Sequence, residues 1–142
     1  MSVDVKYRTS ATANGGGRTG ITSLDSGSLT VTMATPTEMG GNGKGHNPEE
    51  LFAMGYAGCF LSALRAAARM QKLGTVPDDA TVSAQVGIGA RSEGGFGLEV
   101  ALKVSLPGVE DELAQKMIEA AHAVCPYSNA TRGNIDVTLE RV

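Results

Sequence analysis

The stretch Asn47-Pro48-Glu49-Glu50-Leu51-Phe52-Ala53-Met54-Gly55-Tyr56-Ala57-Gly58-Cys59-Phe60-Leu61-Ser62-Ala63-Leu64-Arg65-Ala66-Ala67-Ala68-Arg69-Met70-Gln71-Lys72-Leu73-Gly74 decides the fold. Asn47 can cap a helix, Pro48 suits its first position, and Glu49 and Glu50 favour the positive end of the dipole. The pattern predicts a helix running to about Leu73, stopped by Gly74. Its middle is apolar on nearly every face, so the helix needs cover all round. A small domain has too little chain to surround it, and a homodimer is the natural solution.

Outward from this helix the chain reads as short strands. Val3, Val5 and Tyr7 alternate with Asp4, Lys6 and Arg8, predicting a strand over residues 2–13. A turn at Asn14–Gly20 leads to strands at Ile21–Leu24 and Ser28–Ala34, joined through Asp25-Ser26-Gly27. Residues 35–48, with Gly40, Gly41, Gly43 and Gly45, form a long loop, and loops of that length are often functional. Beyond the helix, Ala80–Ala90 and Phe96–Leu106 predict a hairpin around Arg91–Gly95. Val109–Val124 is an amphipathic helix with Leu113, Met117, Ala120, Ala121 and Val124 on one face. Pro126 ends or restarts it, and Asn134–Val142 alternates as a final strand. Strands, helix, hairpin, helix, strand is an α+β order, without the βαβ repeat of a dinucleotide fold. A chain of 142 residues with no linker or repeat is expected to be a single domain, 1–142.

Composition narrows the function classes. A net charge of −3 argues against nucleic acid as a partner, since phosphate binding needs a basic surface. The first residues lack the basic and apolar regions of a signal peptide. The uncharged run Leu51–Leu64 falls short of the about 20 residues that span a bilayer. A cytoplasmic protein, away from membranes, is expected. In that compartment paired cysteines tend to be catalytic, sensory or metal-binding.

The chain has 2 cysteines, Cys59 within the apolar helix and Cys125 at the turn-like Cys125-Pro126-Tyr127-Ser128. Cys59 reads either as a small buried hydrophobe or as a reactive thiol. Cys125 reads either as a residue preceding a proline or as a second, resolving thiol on a mobile stop. Apolar burial raises a thiol pKa, so a reactive Cys59 needs a cation from elsewhere in the fold. Arg18, Lys44, Arg65, Arg69 and Arg132 are the candidates. Gly15-Gly16-Gly17-Arg18 lacks the Gly-Lys-Ser/Thr ending of a phosphate loop. His122 and Cys125 lie three apart, but Cys59 sits among large apolar side chains and His46 shows no usual ligand spacing with it, so no metal or cofactor is expected. A cysteine–histidine hydrolase has nothing in the spacing to favour it, and His122 falls outside the apolar face of its helix.

Four segments carry a family resemblance: Asn47–Phe60, Ala121–Val137, Thr35–Gly41 and Gly95–Val100. Together they resemble the organic hydroperoxide resistance proteins of the OsmC-like superfamily, over essentially the whole chain. The resemblance implies an intertwined homodimer with a buried central helix from each subunit between β-sheets. It implies a thiol peroxidase reducing organic hydroperoxides to alcohols. By motif position Cys59 would be the peroxidatic thiol, Cys125 the resolving one, and Arg18 and Glu49 their charged companions. The implied reductant is a dihydrolipoyl-bearing protein or another dithiol. Phe52, Tyr56 and Phe60, near Cys59 on the helix, are expected to line the pocket for the substrate's apolar tail. A redox sensor without turnover, or a ligand-binding protein on the same fold, is the alternative. Cys59 follows Glu49 by ten positions, about 15 Å of helix, so Glu49 and Arg18 are expected to serve the Cys59 of the other subunit.

Overall fold

A computed structural model describes residues 1–142, which gather into two compact units, Met1–Pro48 and Glu49–Val142. In the first, β1 (Ala11–Asn14), β2 (Ile21–Leu24) and β3 (Thr30–Thr32) form an antiparallel sheet in the order β1-β2-β3. The turn between β1 and β2 carries Arg18 and is shaped by its glycines. Gly17 is left-handed at φ 66°, and a Cβ on Gly20 would come within 1.9 Å of the Asn14 carbonyl oxygen. No helix follows this turn, in keeping with its rejection as a phosphate loop.

The strand expected over residues 2–13 is shorter than its pattern. Only Ala11–Asn14 pairs, and residues 1–10 are exposed and carry no regular structure. Alternation creates a strand-ready segment, but a strand exists only beside another strand, and β1 has only β2 for a neighbour. The loop after β3 contains a single 3-10 turn at Thr37–Met39 and returns at His46 to bridge Met33.

The second unit opens with α1 (Pro48–Met70). It ends three residues before the expected Leu73. Lys72 takes a left-handed φ of 54°, and the Leu73 N–H donates to the Ala68 carbonyl, closing the helix before Gly74 is reached. By length and a mean hydropathy of 1.4, α1 could cross a bilayer, which the shorter uncharged run did not suggest. Such a test is also passed by a core helix, and Tyr56, Phe60, Ala63, Leu64, Ala67 and Ala68 do form a buried face. The expectation of burial on all sides fails within one chain: Met54 is 73% exposed and Gly58 lies open.

The hairpin of β4 (Thr81–Ala90) and β5 (Phe96–Ser105) forms as expected, and β6 (Val137–Arg141) adds to β5 in parallel. Register explains the core. Val86, Val100 and Val137 align across the sheet, as do Ala84, Leu102 and Leu139, so the two-residue period puts them on one face. A parallel neighbour needs a crossover, which α2 (Asp111–Val124) and α3 (Pro126–Thr131) supply. The Glu110 carboxylate accepts from the Glu112 and Leu113 N–H groups and caps α2. The buried face of α2 is Ala114, Met117, Ile118, Ala120 and Ala121, with Val124 turned out to solvent. Pro126 restarts the helix rather than ending it. α1, the sheet and α2 share one hydrophobic cluster, and Cys125 belongs to it.

Candidate active site

Both cysteines lie in the second unit, and the fold brings them together. The Cys125 thiol donates to the Cys59 sulfur across 3.7 Å. Cys59 is delivered by the middle of α1 and is half-buried; Cys125 sits at the α2–α3 junction with no exposed surface. Cys125 is therefore not on a mobile stop. Its N–H caps α2 by donating to the Ala121 carbonyl, and its own carbonyl accepts from the Asn129 N–H in α3. Closing about 1.7 Å would bring the sulfurs to the about 2.05 Å of a disulfide.

Burial pushes the Cys59 thiol above its ordinary pKa, and the neighbouring Cys125 pushes the same way. The Tyr127 N–H, donated to the Cys59 sulfur, opposes burial with a smaller effect. The raised pKa favours the thiol form, and a reactive Cys59 thiolate would need a cation nearby. Of the candidates in this unit, Arg65 donates to the Val76 and Pro77 carbonyls, and Arg132 donates to the His122 carbonyl. Arg69 is exposed on the last turn of α1. Glu49 opens α1 and is half-buried, and α1 is continuous from it to Cys59, so the expected separation holds along the helix. Arg18 is half-buried in the β1–β2 turn of the other unit. No group of three or more His, Cys, Asp or Glu residues is gathered to hold a metal ion.

The three residues expected to line a pocket have different fates. Phe60 is wholly enclosed in the hydrophobic cluster, and Tyr56 is wholly enclosed with its hydroxyl bonded to Ser128 and Thr131. Only Phe52 keeps a half-exposed edge. Phe52, Tyr56 and Tyr127 form a triangle with ring centroids 5.6–5.9 Å apart. A Cβ on Gly55 would lie 2.9 Å from the Tyr127 hydroxyl oxygen, so Gly55 leaves room for that ring against α1.

The site contains residues that pattern reading passed over: Tyr127, Ser128, Thr131 and His122. Ser128 and Thr131 are the buried residues of α3, three positions apart and so on one helical face. That spacing was the available signal. His122, expected outside the apolar face of its helix, is half-buried with Nδ1 2.9 Å from the Ser128 hydroxyl. Burial and the Arg132 charge hold its pKa below the ordinary histidine value.

A model of the OsmC-like protein family matches residues 41–140, a span that holds both thiols, α1 and all of the second sheet except the last residue of β6. The chain belongs to the OsmC-like family, in its organic hydroperoxide resistance branch. The branch follows from its relatives. An organic hydroperoxide resistance protein of Xanthomonas axonopodis pv. citri is 48% identical over 136 residues, 95% of this chain and 94% of its own. Among solved structures, an organic hydroperoxide resistance protein from Elizabethkingia anophelis with thiocyanate bound matches with a TM-score of 0.89 and 48% identity, covering 98% of each chain. OhrB of Bacillus subtilis matches with a TM-score of 0.85 and 40% identity, over 97% of this chain and all of its own. The mixed α+β architecture with two sheets is that of these OsmC-like structures.

Proposed function

We propose that this OsmC-like protein detoxifies organic hydroperoxides as a thiol peroxidase. The supporting observation is the 3.7 Å approach of the chain's 2 thiols, one half-open and one enclosed. The Cys59 thiolate attacks the distal peroxide oxygen. The O–O bond breaks, the alkoxide leaves and takes up a proton to become an alcohol, and Cys59 becomes a sulfenic acid. The Cys125 sulfur then attacks the Cys59 sulfur, expelling water and leaving a disulfide. A dithiol, such as a dihydrolipoyl group on a partner protein, reduces that disulfide by exchange and is itself oxidised to a cyclic disulfide.

Arg18 is assigned to stabilise the Cys59 thiolate, and Glu49 to orient the guanidinium through a charge-assisted pair. Both act on the Cys59 of a second copy, because Glu49 stands about 15 Å up the same helix from its own Cys59. The homodimer also gives cover to Met54 and to Tyr7, 79% exposed in the single chain. Phe52, together with the Tyr127 ring, receives the apolar tail of the substrate, and Tyr56 and Phe60 form the wall behind it. The working compartment is the cytoplasm.

The rival is a redox sensor or ligand-binding protein with no turnover, and the raised pKa of Cys59, which disfavours the thiolate, suits only its ligand-binding form. Turnover with cumene hydroperoxide and dihydrolipoamide, compared between the wild-type protein and Cys59→Ser, separates the readings. The peroxidase reading expects many turnovers in the wild type and none in the variant. Undiminished turnover in Cys59→Ser ends it, and a single stoichiometric oxidation of the wild type that no dithiol reverses favours the rival.

A further inference from the structure

The two sulfurs are carried by different helices, and one buried polar chain links those helices. Tyr56 Oη on α1 lies 2.9 Å from Ser128 Oγ and 3.1 Å from Thr131 Oγ1, both on α3. Ser128 Oγ lies 2.9 Å from His122 Nδ1 on α2. Thr131 Oγ1 donates to the Tyr127 and Ser128 carbonyls, 3.0 and 3.2 Å away. Tyr56 and Ser128 are wholly buried and Thr131 nearly so, in the unit whose core also encloses Cys125.

Counting hydrogens fixes the direction of the chain. Three hydroxyls supply three hydrogens, yet there are four links to fill: His122–Ser128, Ser128–Tyr56, Tyr56–Thr131 and Thr131 to the carbonyls. With Thr131 donating to the carbonyls, Tyr56 donates to Thr131, Ser128 donates to Tyr56, and the fourth hydrogen must come from His122 Nδ1. The neutral ring therefore carries its proton on Nδ1, with Nε2 bare. Protonating the ring keeps the Nδ1–H and leaves every link intact.

We propose that Ser128, with Thr131 and His122 behind it, is a positioning residue for disulfide closure: it holds the α2–α3 junction against α1, so that Cys125 stays within reach of Cys59 as the sulfurs close. The proposal rests on the peroxidase reading for its biological sense, but the geometry it invokes is independent of the oxidant. None of the three hydrogen-bonds to either sulfur. Their effect falls on the second chemical step, where the gap to close is about 1.7 Å, and misplacement by about 1 Å can cost on the order of 100-fold in rate.

The test separates the two steps by rapid mixing with an organic hydroperoxide. The loss of one thiol reports the first oxidation, and intact-mass or gel-shift detection of the disulfide reports the second. Ser128→Ala and Thr131→Val are expected to oxidise Cys59 at the wild-type rate and to close the disulfide about 10- to 100-fold more slowly, with more overoxidised Cys59 at high peroxide. Ser128→Thr, which keeps a hydroxyl, should recover closure. Nitrogen-15 NMR of the imidazole should show the Nδ1–H form for neutral His122 in the wild type and lose that bias in Ser128→Ala. Wild-type closure rates in both Ser128→Ala and Thr131→Val overturn the proposal, and so does equal slowing of both steps, which signals general damage. Diamide, which closes thiol pairs without a peroxide, distinguishes the two readings. If the wild type ignores hydroperoxide while diamide closes the pair quickly in wild type and slowly in the variants, the peroxidase reading falls and the positioning role stands.

Discussion

The surroundings of Cys59 and of Cys125 differ more than their 3.7 Å separation suggests. Cys59 sits on a helix face that one chain leaves partly open, beside Gly58, with a single N–H to soften an apolar setting. Cys125 is sealed at a helix junction inside the hydrophobic cluster, and its own backbone groups are spent on the ends of two helices. A half-open sulfur can meet a peroxide, and a sealed one can meet only the first sulfur. On the proposed mechanism, the two environments would divide the labour before any difference in intrinsic thiol chemistry is invoked.

That division can be broken directly. The largest effect is expected for Cys125→Ser, which should leave a single oxidation of Cys59 intact and abolish recycling through a disulfide. Mass spectrometry after excess hydroperoxide should then show sulfinic and sulfonic Cys59. A variant that still turns over with a dithiol at the wild-type rate would make Cys125 a packing residue only.

Arg18→Ala should sharpen the account of Cys59. Burial raises this pKa, so without a cation the thiol is protonated at neutral pH and reactivity grows as pH climbs through the raised value. The expected outcome is a wild-type oxidation rate nearly flat from pH 7 upward, and a variant rate rising about tenfold per pH unit until that pKa is passed. Parallel profiles in the two proteins would remove Arg18 from the site. The smallest effect is expected for Gly55→Ala. The added methyl crowds the movable edge of the Tyr127 ring, while helix propensity gains about 0.5–1 kcal/mol. Thermal stability should change little, and relative rates with bulky and slim hydroperoxides should shift, as competition between cumene and tert-butyl hydroperoxide would measure.

Sequence pattern was most legible where local signals agreed. The β4–β5 hairpin and α2 follow from two-residue and helical periods together with Gly and acidic residues at their ends, and both appear within a residue or two of expectation. The pattern misled at Val3, Val5 and Tyr7, because alternation says what a strand would bury and nothing of whether a neighbouring strand exists. It was silent on the parallel pairing of β6, since register across a crossover is a long-range choice. In the site, Cys59 and Cys125 were legible as a pair by scarcity. The Tyr56–Ser128–Thr131–His122 chain was not, because its members lie up to 75 residues apart and serines and threonines are ordinary in any turn. Phe60, close to Cys59 in sequence, is turned by the helix into the core, so it can back a pocket without opening onto it.

On the proposed mechanism, the sealing of Cys125 also sets the route by which electrons return. Once a disulfide has formed, only its Cys59 half faces the half-open side, so an entering thiolate attacks that sulfur and expels Cys125 as the leaving group. The mixed disulfide with any reductant is then carried on α1, and a reductant too bulky to approach Cys59 is excluded however favourable its potential. On the proposed mechanism, access to Cys59 would then select the electron donor, and the buried thiol would regain its hydrogen without meeting it.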